Sequence, residues 1–455
     1  MIRFAMSAGQ RRKVHFGLAG ALAMAGVIGL VDVPGLAGVP AAYAQPTSAD
    51  VTDAAEPPSC PAAPSEDPAD PAGAVRYLAD DALEGRLAGS EGAWCAGTFI
   101  AERFERLGLE PEGEDGGYFQ ELPLASAINP HAPSGNGRNV VALLPGADPA
   151  LAAEVVILGA HYDHLGWGPF GSLSPESREI HNGADDNASG VAALLSAAGR
   201  LAVGPRPARS ILFLAFTGEE FGLLGSSYYV GHPVRPLEKT VAMLNMDMVG
   251  RLEGDPLIVY GTGTAAEWEE LISAAVAVGD VEVAFQDSGY GPSDHTSFYS
   301  NEVPVLHFFT NVHGDYHKPS DDVERIDFAG LERVAALVAD VALRVADRPM
   351  GLTLLRTEAP PPASQEGGYG PYLGTVPDFA PVDYGVRLSG VRAGSPAEGA
   401  GMQAGDVIVR FGGTDIADLY AFTDALRAHS TGDTVTVVVL RDGEELALLA
   451  VLGER

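Results

Sequence analysis

Short apolar runs recur through the middle of the chain and alternate with longer amphipathic segments. The runs occupy residues 139–144, 155–158, 211–216, 241–248 and 303–309. Their length and their content of β-branched and other apolar side chains indicate strands that are buried on both faces of a sheet. The helical spacing of apolar residues predicts helices at residues 90–108, 191–201 and 331–345. The pattern predicts an α/β fold in which a mixed, mostly parallel sheet is flanked by helices on both faces.

Acidic and histidine side chains stand at the carboxyl ends of the predicted strands or in the loops that follow them. These side chains are His161, Asp185, Glu220, Asp247 and His317. The strand ends of an open α/β sheet form one crevice, so we expect these groups to meet there. Two imidazoles and three carboxylates, one of them shared, give each of two ions a nitrogen and several oxygen donors, which suits Zn²⁺ better than Mg²⁺ or Ca²⁺. Two such ions about 3.5–4 Å apart can hold a bridging hydroxide and polarise a carbonyl group.

None of these residues indicates a metal site by itself. An isolated pair such as Glu219-Glu220 would ordinarily form a solvated turn, but here it follows a buried strand. Asp247 ends an apolar strand, which is costly unless the carboxylate is paired or binds a metal. The adjacent carboxylates of Asp185 and Asp186 would repel each other if they were buried without a cation. The metal interpretation therefore depends on the whole set.

Six motifs between residues 74 and 348 give the chain a resemblance to a known family. The motifs are HYD at 161–163, GADDNASG at 183–190, GEEFGLLGS at 218–226, NMDMVG at 245–250, SDHTSF at 293–298 and YHKPSDD at 316–322. In this order they resemble those of the co-catalytic zinc aminopeptidases, a clan that also contains glutamate carboxypeptidase II-like enzymes and glutaminyl cyclases. The resemblance implies the zinc exopeptidase fold and two Zn²⁺ ions.

The resemblance also implies which residues hold each ion. One zinc would be held by His161, Asp185 and Asp247, and the other by Asp185, Glu220 and His317. Asp185 would therefore bridge the two ions. The cis peptide bond of the family would directly follow Asp185.

Further roles follow from the same resemblance. Glu219 would be the general base that takes a proton from the attacking water and returns it to the leaving amine. Asp163 would orient His161 from behind. Tyr316 is a candidate donor to the developing oxyanion, and His295 is a weaker candidate for the pocket wall.

The implied function is an aminopeptidase that releases N-terminal residues from peptides by means of a zinc-bridged hydroxide. The complete ligand set argues against the one-zinc glutaminyl cyclases and against receptor-like members that have lost ligands. A carboxypeptidase of the glutamate-releasing kind, or another amide hydrolase of this fold, stays open as an alternative, with Arg178 and Arg251 as the arginines that could bind a carboxylate. A third alternative is a peptide-binding scaffold without catalysis.

The C-terminal part resembles a small β-rich PDZ domain of the bacterial type. Tyr372-Leu373-Gly374-Thr375 resembles its carboxylate-binding loop, and the runs GSPA at 394–397 and GMQAGDVI at 401–408 resemble its signature. A helix at 419–427 and strands at 434–440 and 445–452 would complete the domain. Such a domain adds a peptide to a sheet edge and captures its terminal carboxylate. Because of Thr375 and the following Val376-Pro377, an alternative stays open in which the domain is a structural appendage with a blocked groove.

The N-terminal segment has the features of an export signal. Arg11-Arg12-Lys13 precedes an apolar run at 16–30, and Ala42-Tyr43-Ala44 offers a small-x-small cleavage site. The run is shorter than the roughly 20 residues that a membrane span needs, so we expect cleavage rather than an anchor. The expected product is periplasmic or extracellular and free of the membrane.

The predicted organisation has five parts. Residues 1–44 are a signal peptide, 45–73 a Pro/Ala/acidic linker, 74–350 the di-zinc peptidase domain, 351–370 a Pro/Gly-rich linker and 371–455 the PDZ domain.

The net charge excludes some classes of binding partner, and the cysteine content limits the number of disulfides. A formal net charge of −33 over 455 residues argues against nucleic acid and anionic lipid as partners. The family resemblance implies that the substrates are peptides. Cys60 and Cys95 are the two cysteines, so one disulfide can form, although the sequence does not show that they meet.

Overall fold

The computed structural model describes residues 58–453, with gaps at 125–132, 169, 175, 253, 358–370, 378–381, 383, 392–393, 418–420, 423–424, 427 and 442. The predicted signal peptide and the first part of the predicted linker lie outside the described residues. Most of the linker predicted at 351–370 lies outside them as well.

The larger domain is built on a nine-stranded sheet. Its strands are β1 (Glu110–Pro111), β2 (Phe119–Pro123), β3 (Asn136–Leu144), β4 (Val155–His161), β5 (Ser210–Phe216), β6 (Thr240–Met246), β7 (Leu257–Tyr260), β8 (Val283–Gln286) and β9 (Val305–Phe309). They are ordered β1-β3-β5-β4-β6-β9-β7-β8, and β2 also pairs with β3. The central strands β5, β4, β6 and β9 are parallel, whereas β3 and β7 join them antiparallel. The sheet is therefore mixed, and its parallel centre contains four of the five strands predicted from the apolar runs, the fifth being the antiparallel β3.

The central strands are apolar because both of their faces are covered. Every residue of β4 and of β5 is buried. Alternate side chains enter different cores: Val156 and Leu158 pack on one face of the sheet, and Val155 and Ile157 pack on the other. A strand of this kind shows a continuous apolar run rather than an alternating pattern.

Helices cover both faces, as the sequence predicts. They are α1 (Pro71–Leu78), α2 (Glu91–Arg106), α3 (Gly190–Val203), α4 (Leu224–Gly231), α5 (Trp268–Gly279), α6 (His295–Tyr299) and α7 (Phe328–Ala346). Residues of α1, α2, α3, α5 and α7 join one core, and residues of α4 and α6 join the other. Side-chain caps fix where the two longest helices start: Ser90 Oγ accepts the N–H of Ala93, and Asp327 Oδ1 accepts the N–H of Gly330. Within the described part of the chain, none of the helices combines the length and the apolar character of a membrane-spanning segment.

The second half of the predicted N-terminal linker is attached to the domain. Cys60 and Cys95 form a disulfide, which joins this segment to α2. The Arg103 guanidinium donates to the carbonyl oxygens of Ser65 and Asp67 at 2.7 and 2.9 Å. Helix α1 then begins at Pro71, before the domain start predicted at residue 74.

The C-terminal segment forms a separate antiparallel sheet. Its strands are β10 (Thr375–Pro377), β11 (Val386–Val391), β12 (Val407–Phe411), β13 (Thr414–Asp415), β14 (Thr434–Arg441) and β15 (Glu444–Val451), with the short helix α8 (Pro396–Gly399). The order is β10-β11-β12-β14-β15, and β13 pairs with β12. This sheet has its own apolar core, which includes Leu388, Ile408 and Val437. Strands β14 and β15 match the two predicted closing strands, whereas part of the predicted helix 419–427 lies outside the described residues.

Candidate metal centre

The central parallel strands bring most of the predicted ligands to one edge of the sheet. His161 is the last residue of β4, and Glu220 lies in the turn that follows β5. Asp247 directly follows β6, and His317 lies in the loop after β9. Because β5, β4, β6 and β9 are neighbours and run parallel, their carboxyl ends open into one cleft. The structure therefore brings four of the five predicted ligands together at this edge.

Asp186 lies between the two imidazoles. His161 Nε2 is 3.4 Å from Asp186 Oδ1, and His317 Nε2 is 3.1 Å from Asp186 Oδ2. Each oxygen of this carboxylate therefore faces a different imidazole. A carboxylate in this position can be shared by two ions.

This position corrects the sequence-based assignment of Asp185 as the bridging ligand. Asp185 Oδ1 accepts the N–H of Gly250 at 2.7 Å, and Asp185 Oδ2 lies 3.1 Å from His313 Nε2. The cis peptide bond also follows Asp186 rather than Asp185. The turn is held by Asp321, whose Oδ2 accepts the N–H groups of both Asp185 and Asp186 at 3.0 Å. In this turn the two neighbouring carboxylates make contacts with different groups, and Asp186 is the one in the cleft.

The remaining carboxylates complete two groups of donors. Asp247 Oδ1 is 3.4 Å from His161 Nε2, so His161, Asp186 and Asp247 form one group. Glu220 Oε2 is 3.2 Å from His317 Nε2, so His317, Asp186 and Glu220 form the other. The two groups share Asp186, as two adjacent metal positions require.

His164 contacts Glu220 of the second group, and the sequence analysis missed it. Its Nδ1 lies 2.6 Å from Glu220 Oε1, and its imidazole is fully buried. The available signal was its position, one residue beyond the HYD motif at the same strand end.

The residues fit a pair of divalent ions. His161 Nε2 is buried and makes no hydrogen bond within the described residues, although carboxylate oxygens of Asp186 and Asp247 lie 3.4 Å away. Buried carboxylates this close together repel each other unless a cation lies between them. Nitrogen and carboxylate donors together are typical of zinc sites.

Contacts on the far side of the two imidazoles determine which ring nitrogen faces the cluster. His317 Nδ1 donates to the carbonyl oxygen of Gly171 at 2.9 Å, which leaves its Nε2 as the metal-binding nitrogen. His161 Nδ1 lies 3.2 Å from the backbone carbonyl of Asp163 and 3.8 Å from its carboxylate. The Asp163 carboxylate instead accepts the N–H of Glu219 at 3.1 Å. Asp163 therefore approaches His161 most closely through its main chain, and its side chain holds the segment that carries Glu219.

Glu219 has the electrostatic surroundings of a proton-transfer group. Burial raises the pKa of Glu219 well above its ordinary value, and the nearby carboxylates of Glu220 and Asp247 act in the same direction. Burial opposes the ionisation of Asp186 as well, but the adjacent imidazoles of His161 and His317 hold the pKa of Asp186 well below its ordinary value. Two carboxylates of one cleft thus differ in protonation: Glu219 can carry a proton, whereas Asp186 stays ionised.

The cleft beside the cluster combines carboxylates with aromatic and apolar walls. It is lined by Asp186, Glu219, Glu220, Asp247, Met248, Tyr260, Pro292, His307, Phe309, Val312, Tyr316 and His317. This lining contains neither arginine nor lysine among the described residues. Arg251, considered above as a carboxylate-binding residue, pairs instead with Asp315 and Asp321 at 3.0 Å.

The predicted oxyanion donor, Tyr316, and the predicted wall residue, His295, differ in where they lie. Tyr316 is in the wall, with its ring 3.9 Å from that of His317. Burial, followed by the charge of nearby carboxylates, raises the pKa of Tyr316 well above its ordinary value, so its hydroxyl remains a donor. His295 is fully buried and stacks at 4.4 Å on His307, which lines the cleft in its place.

The strand order and the donor cluster define the larger domain as a zinc exopeptidase fold. The crystal structure of Porphyromonas gingivalis glutaminyl cyclase has the same fold: it is 21% identical, covers 60% of this chain and 96% of that chain, and gives a TM-score of 0.50. The family model described as peptidase family M28 matches residues 139–342, and that of the PDZ domain matches residues 371–450. The chain thus carries a peptidase family M28 domain followed by a PDZ domain.

Curated relatives have names that describe aminopeptidases. Aminopeptidase YwaD of Bacillus subtilis is 30% identical over 196 residues, which is 41% of this chain and 40% of the relative. A probable leucine aminopeptidase of Arthroderma otae is 28% identical over 218 residues, which is 46% of this chain and 57% of the relative. The chain therefore spans about half the length of the curated relatives it matches.

Proposed function

We propose that this protein is a two-zinc aminopeptidase that releases N-terminal residues from peptides. The observation that carries the proposal is the set of charged side chains that line the cleft. Four carboxylates line it, those of Asp186, Glu219, Glu220 and Asp247, and no arginine or lysine of the described chain accompanies them. Two bound zinc ions would offset the charge of these carboxylates, but the described lining still offers no arginine or lysine to pair with a C-terminal carboxylate, which disfavours the carboxypeptidase alternative.

The proposed zinc ligands are the two groups that share one carboxylate. His161, Asp186 and Asp247 would hold one ion, and His317, Asp186 and Glu220 would hold the other. When bound, the ions would supply Lewis acidity toward the scissile carbonyl and make a water molecule nucleophilic at neutral pH.

Two further side chains are placed for proton handling. Glu219 accepts a proton from the attacking water and passes it to the leaving amine, a role that its raised pKa favours. Its Oε2 lies 4.0 Å from His161 Nε2, which places it next to the first donor group. The Tyr316 hydroxyl donates to the carbonyl oxygen as negative charge develops there.

The proposed substrates are peptides, and the PDZ domain supports this choice. The loop Tyr372-Leu373-Gly374-Thr375 leads into β10, and Gly374 adopts φ +84 against Ser395. We assign to this loop the capture of a peptide C-terminal carboxylate. Fluorescence polarisation tests this assignment: a peptide with a free C terminus should bind the full chain more tightly than its C-terminal amide, and equal affinity would contradict it.

The proposed location is outside the cytoplasm. The Cys60–Cys95 disulfide supports it, because such bonds persist in oxidising compartments. Fractionation of expressing cells, with alkylation before non-reducing electrophoresis, checks both location and pairing. A reduced protein found in the cytoplasm would contradict the proposal.

The decisive test combines metal content with substrate class. We expect about two zinc ions per chain, as a two-metal site requires, and chelator-sensitive hydrolysis of aminoacyl amides and free peptides. N-acetylated versions of the same peptides should be resistant. Cleavage of blocked peptides at their C termini would replace the proposal with the carboxypeptidase alternative. A chain that neither binds zinc nor hydrolyses peptides would leave the non-catalytic peptide-binding scaffold as the remaining alternative.

A further inference from the structure

A buried histidine makes one of the shortest polar contacts of the metal centre. His164 is fully buried, and its Nδ1 lies 2.6 Å from Glu220 Oε1. An ionised carboxylate can only accept a hydrogen bond, so the imidazole donates from Nδ1. Hydrogen bonds to an ionised partner are short and strong.

The two oxygens of Glu220 therefore have different partners. Oε1 accepts from His164, whereas Oε2 lies 3.2 Å from His317 Nε2 on the side of the cleft. If the first contact were lost, the carboxylate could rotate and present either oxygen to the cleft. The hydrogen bond from His164 selects the oxygen that faces the second donor group.

The imidazole of His164 is itself held in place. Its backbone N–H donates to the carbonyl oxygen of Arg86 at 3.2 Å. Gly183, at φ +55, packs so closely on the ring that a Cβ at that position would lie 2.5 Å from the ring Cγ and Cδ2. A glycine is required at this close approach.

The other ring nitrogen indicates which tautomer is present. His164 Nε2 is buried and makes no hydrogen bond within the described residues. A buried N–H without an acceptor would be costly, so the proton lies on Nδ1 and Nε2 is unprotonated. This tautomer is the one that donates to Glu220.

We propose that His164 is a positioning residue that holds Glu220 ready for the second zinc ion. The inference rests on the proposed two-zinc function and adds a residue that binds neither metal nor substrate. Partners of this kind orient a metal ligand before binding, and their removal typically lowers metal affinity about 10- to 100-fold. The loss should be confined to the site of His317 and Glu220.

The experiment compares His164→Ala, His164→Asn and His295→Ala in the full chain. The amide nitrogen of an asparagine can occupy the place of imidazole Nδ1 and donate to Glu220. His295 is the matched control, because it is also fully buried and neither of its ring nitrogens makes a hydrogen bond within the described residues. Zinc per chain and the Kd of each zinc are measured by equilibrium dialysis against buffered zinc, with Co²⁺ absorption as a second readout.

We expect the alanine variant to keep the first zinc and to bind the second about 10- to 100-fold more weakly. The asparagine variant should recover much of that affinity, and His295→Ala should bind both ions like the wild type. Equal second-zinc affinity in His164→Ala and wild type would overturn the inference. It would also be overturned if His164→Asn lost the second ion as fully as His164→Ala, because the imidazole would then be a ligand. A wild-type chain that binds no zinc would instead contradict the proposed function itself.

Discussion

Asp185 and Asp186 are adjacent in sequence, but their carboxylates lie in different surroundings. The oxygens of Asp186 are 3.4 Å from His161 Nε2 and 3.1 Å from His317 Nε2. Those of Asp185 accept the N–H of Gly250 and lie 3.1 Å from His313 Nε2. Asp186 is therefore the carboxylate that two ions can share, and Asp185 belongs to the support behind them.

This difference predicts opposite outcomes for two matched substitutions. Asp186→Asn removes the shared charge, so we expect weak binding of both zinc ions and little activity. Asp185→Asn should retain zinc while lowering the free energy of unfolding by roughly 1.5–3 kcal/mol, since it weakens a hydrogen bond to a buried charge. Zinc per chain and thermal unfolding measure the two effects. If Asp185→Asn loses zinc and Asp186→Asn does not, the assignment of the bridging carboxylate is reversed.

Glu219 should separate catalysis from metal binding. Glu219→Gln keeps the size of the side chain but cannot accept a proton, so kcat should fall about 10²- to 10⁴-fold. Zinc content should stay at the wild-type value, because Glu219 belongs to neither donor group. A variant that retains near wild-type turnover would exclude Glu219 as the base.

Much of this site could be predicted from local sequence, because a pattern that locates a strand also locates the residues at its carboxyl end. Continuous apolar runs identified β4, β5, β6 and β9, and the parallel order of these strands explains why His161, Glu220 and Asp247 meet. The short strands β7 and β8 and the helix α5 were not predicted, although all three belong to the same domain. Strands of four residues give too short a pattern to distinguish from loops.

The choice between neighbouring acids could not be made from the sequence. Which carboxylate of the pair Asp185-Asp186 enters the cleft depends on the dihedral angles of the turn that starts at Gly183, φ +55, and these have no periodic pattern. The position of His164 poses the same problem. Its contact with Glu220 joins residues that are 56 positions apart in the chain.

Removal of zinc should destabilise the larger domain. Without a cation, the carboxylates of Asp186, Glu220 and Asp247 remain close together in a buried cleft. A ligand that binds only the folded state stabilises it by about 2.7 kcal/mol when its concentration is 100 times Kd. Chelation should therefore lower the midpoint of thermal unfolding, and added zinc should restore it in proportion to the logarithm of its concentration. A midpoint that does not respond to zinc would contradict a metal site in the folded state.

The disulfide should affect stability without affecting the metal centre. The bond joins cysteines 35 residues apart and attaches the N-terminal segment to α2. The double substitution Cys60→Ser, Cys95→Ser should lower the free energy of unfolding by about 2–4 kcal/mol, because the unfolded chain gains freedom. Zinc content and kcat should be unchanged, since neither cysteine belongs to a donor group. Unfolding in denaturant with and without reductant measures how much the free energy of unfolding of the wild type depends on the disulfide. If reductant lowered the free energy of unfolding of the double variant by the same amount, the disulfide would be excluded as the cause.

The C-terminal sheet contains a buried ion pair whose contribution should depend on pH. The Arg441 guanidinium donates to both oxygens of the buried Asp406, at 2.6 and 2.7 Å. Burial acts in the opposite direction, but the hydrogen bonds from Arg441 hold the pKa of Asp406 below its ordinary value. A carboxyl group whose pKa is lower in the folded state stabilises the fold above its unfolded pKa, about 4, and loses this contribution as the pH falls through the folded value.

Asp406→Asn should therefore lower the free energy of unfolding at pH 7 by roughly 1.5–3 kcal/mol, the value of a hydrogen bond to a charged group. The difference from wild type should shrink as the pH is lowered below about 4, because the unfolded wild-type chain then takes up a proton at this carboxyl more readily than the folded chain does. Hydrogen exchange of β12 and β14 in the full chain follows the stability of this sheet. Asp415→Asn is the control, since Asp415 pairs with Arg410 at 2.9 Å but is 72% exposed, and its loss should change exchange little at any pH. A difference between Asp406→Asn and wild type that stays constant down to pH 3 would show that the variant acts through packing rather than through charge.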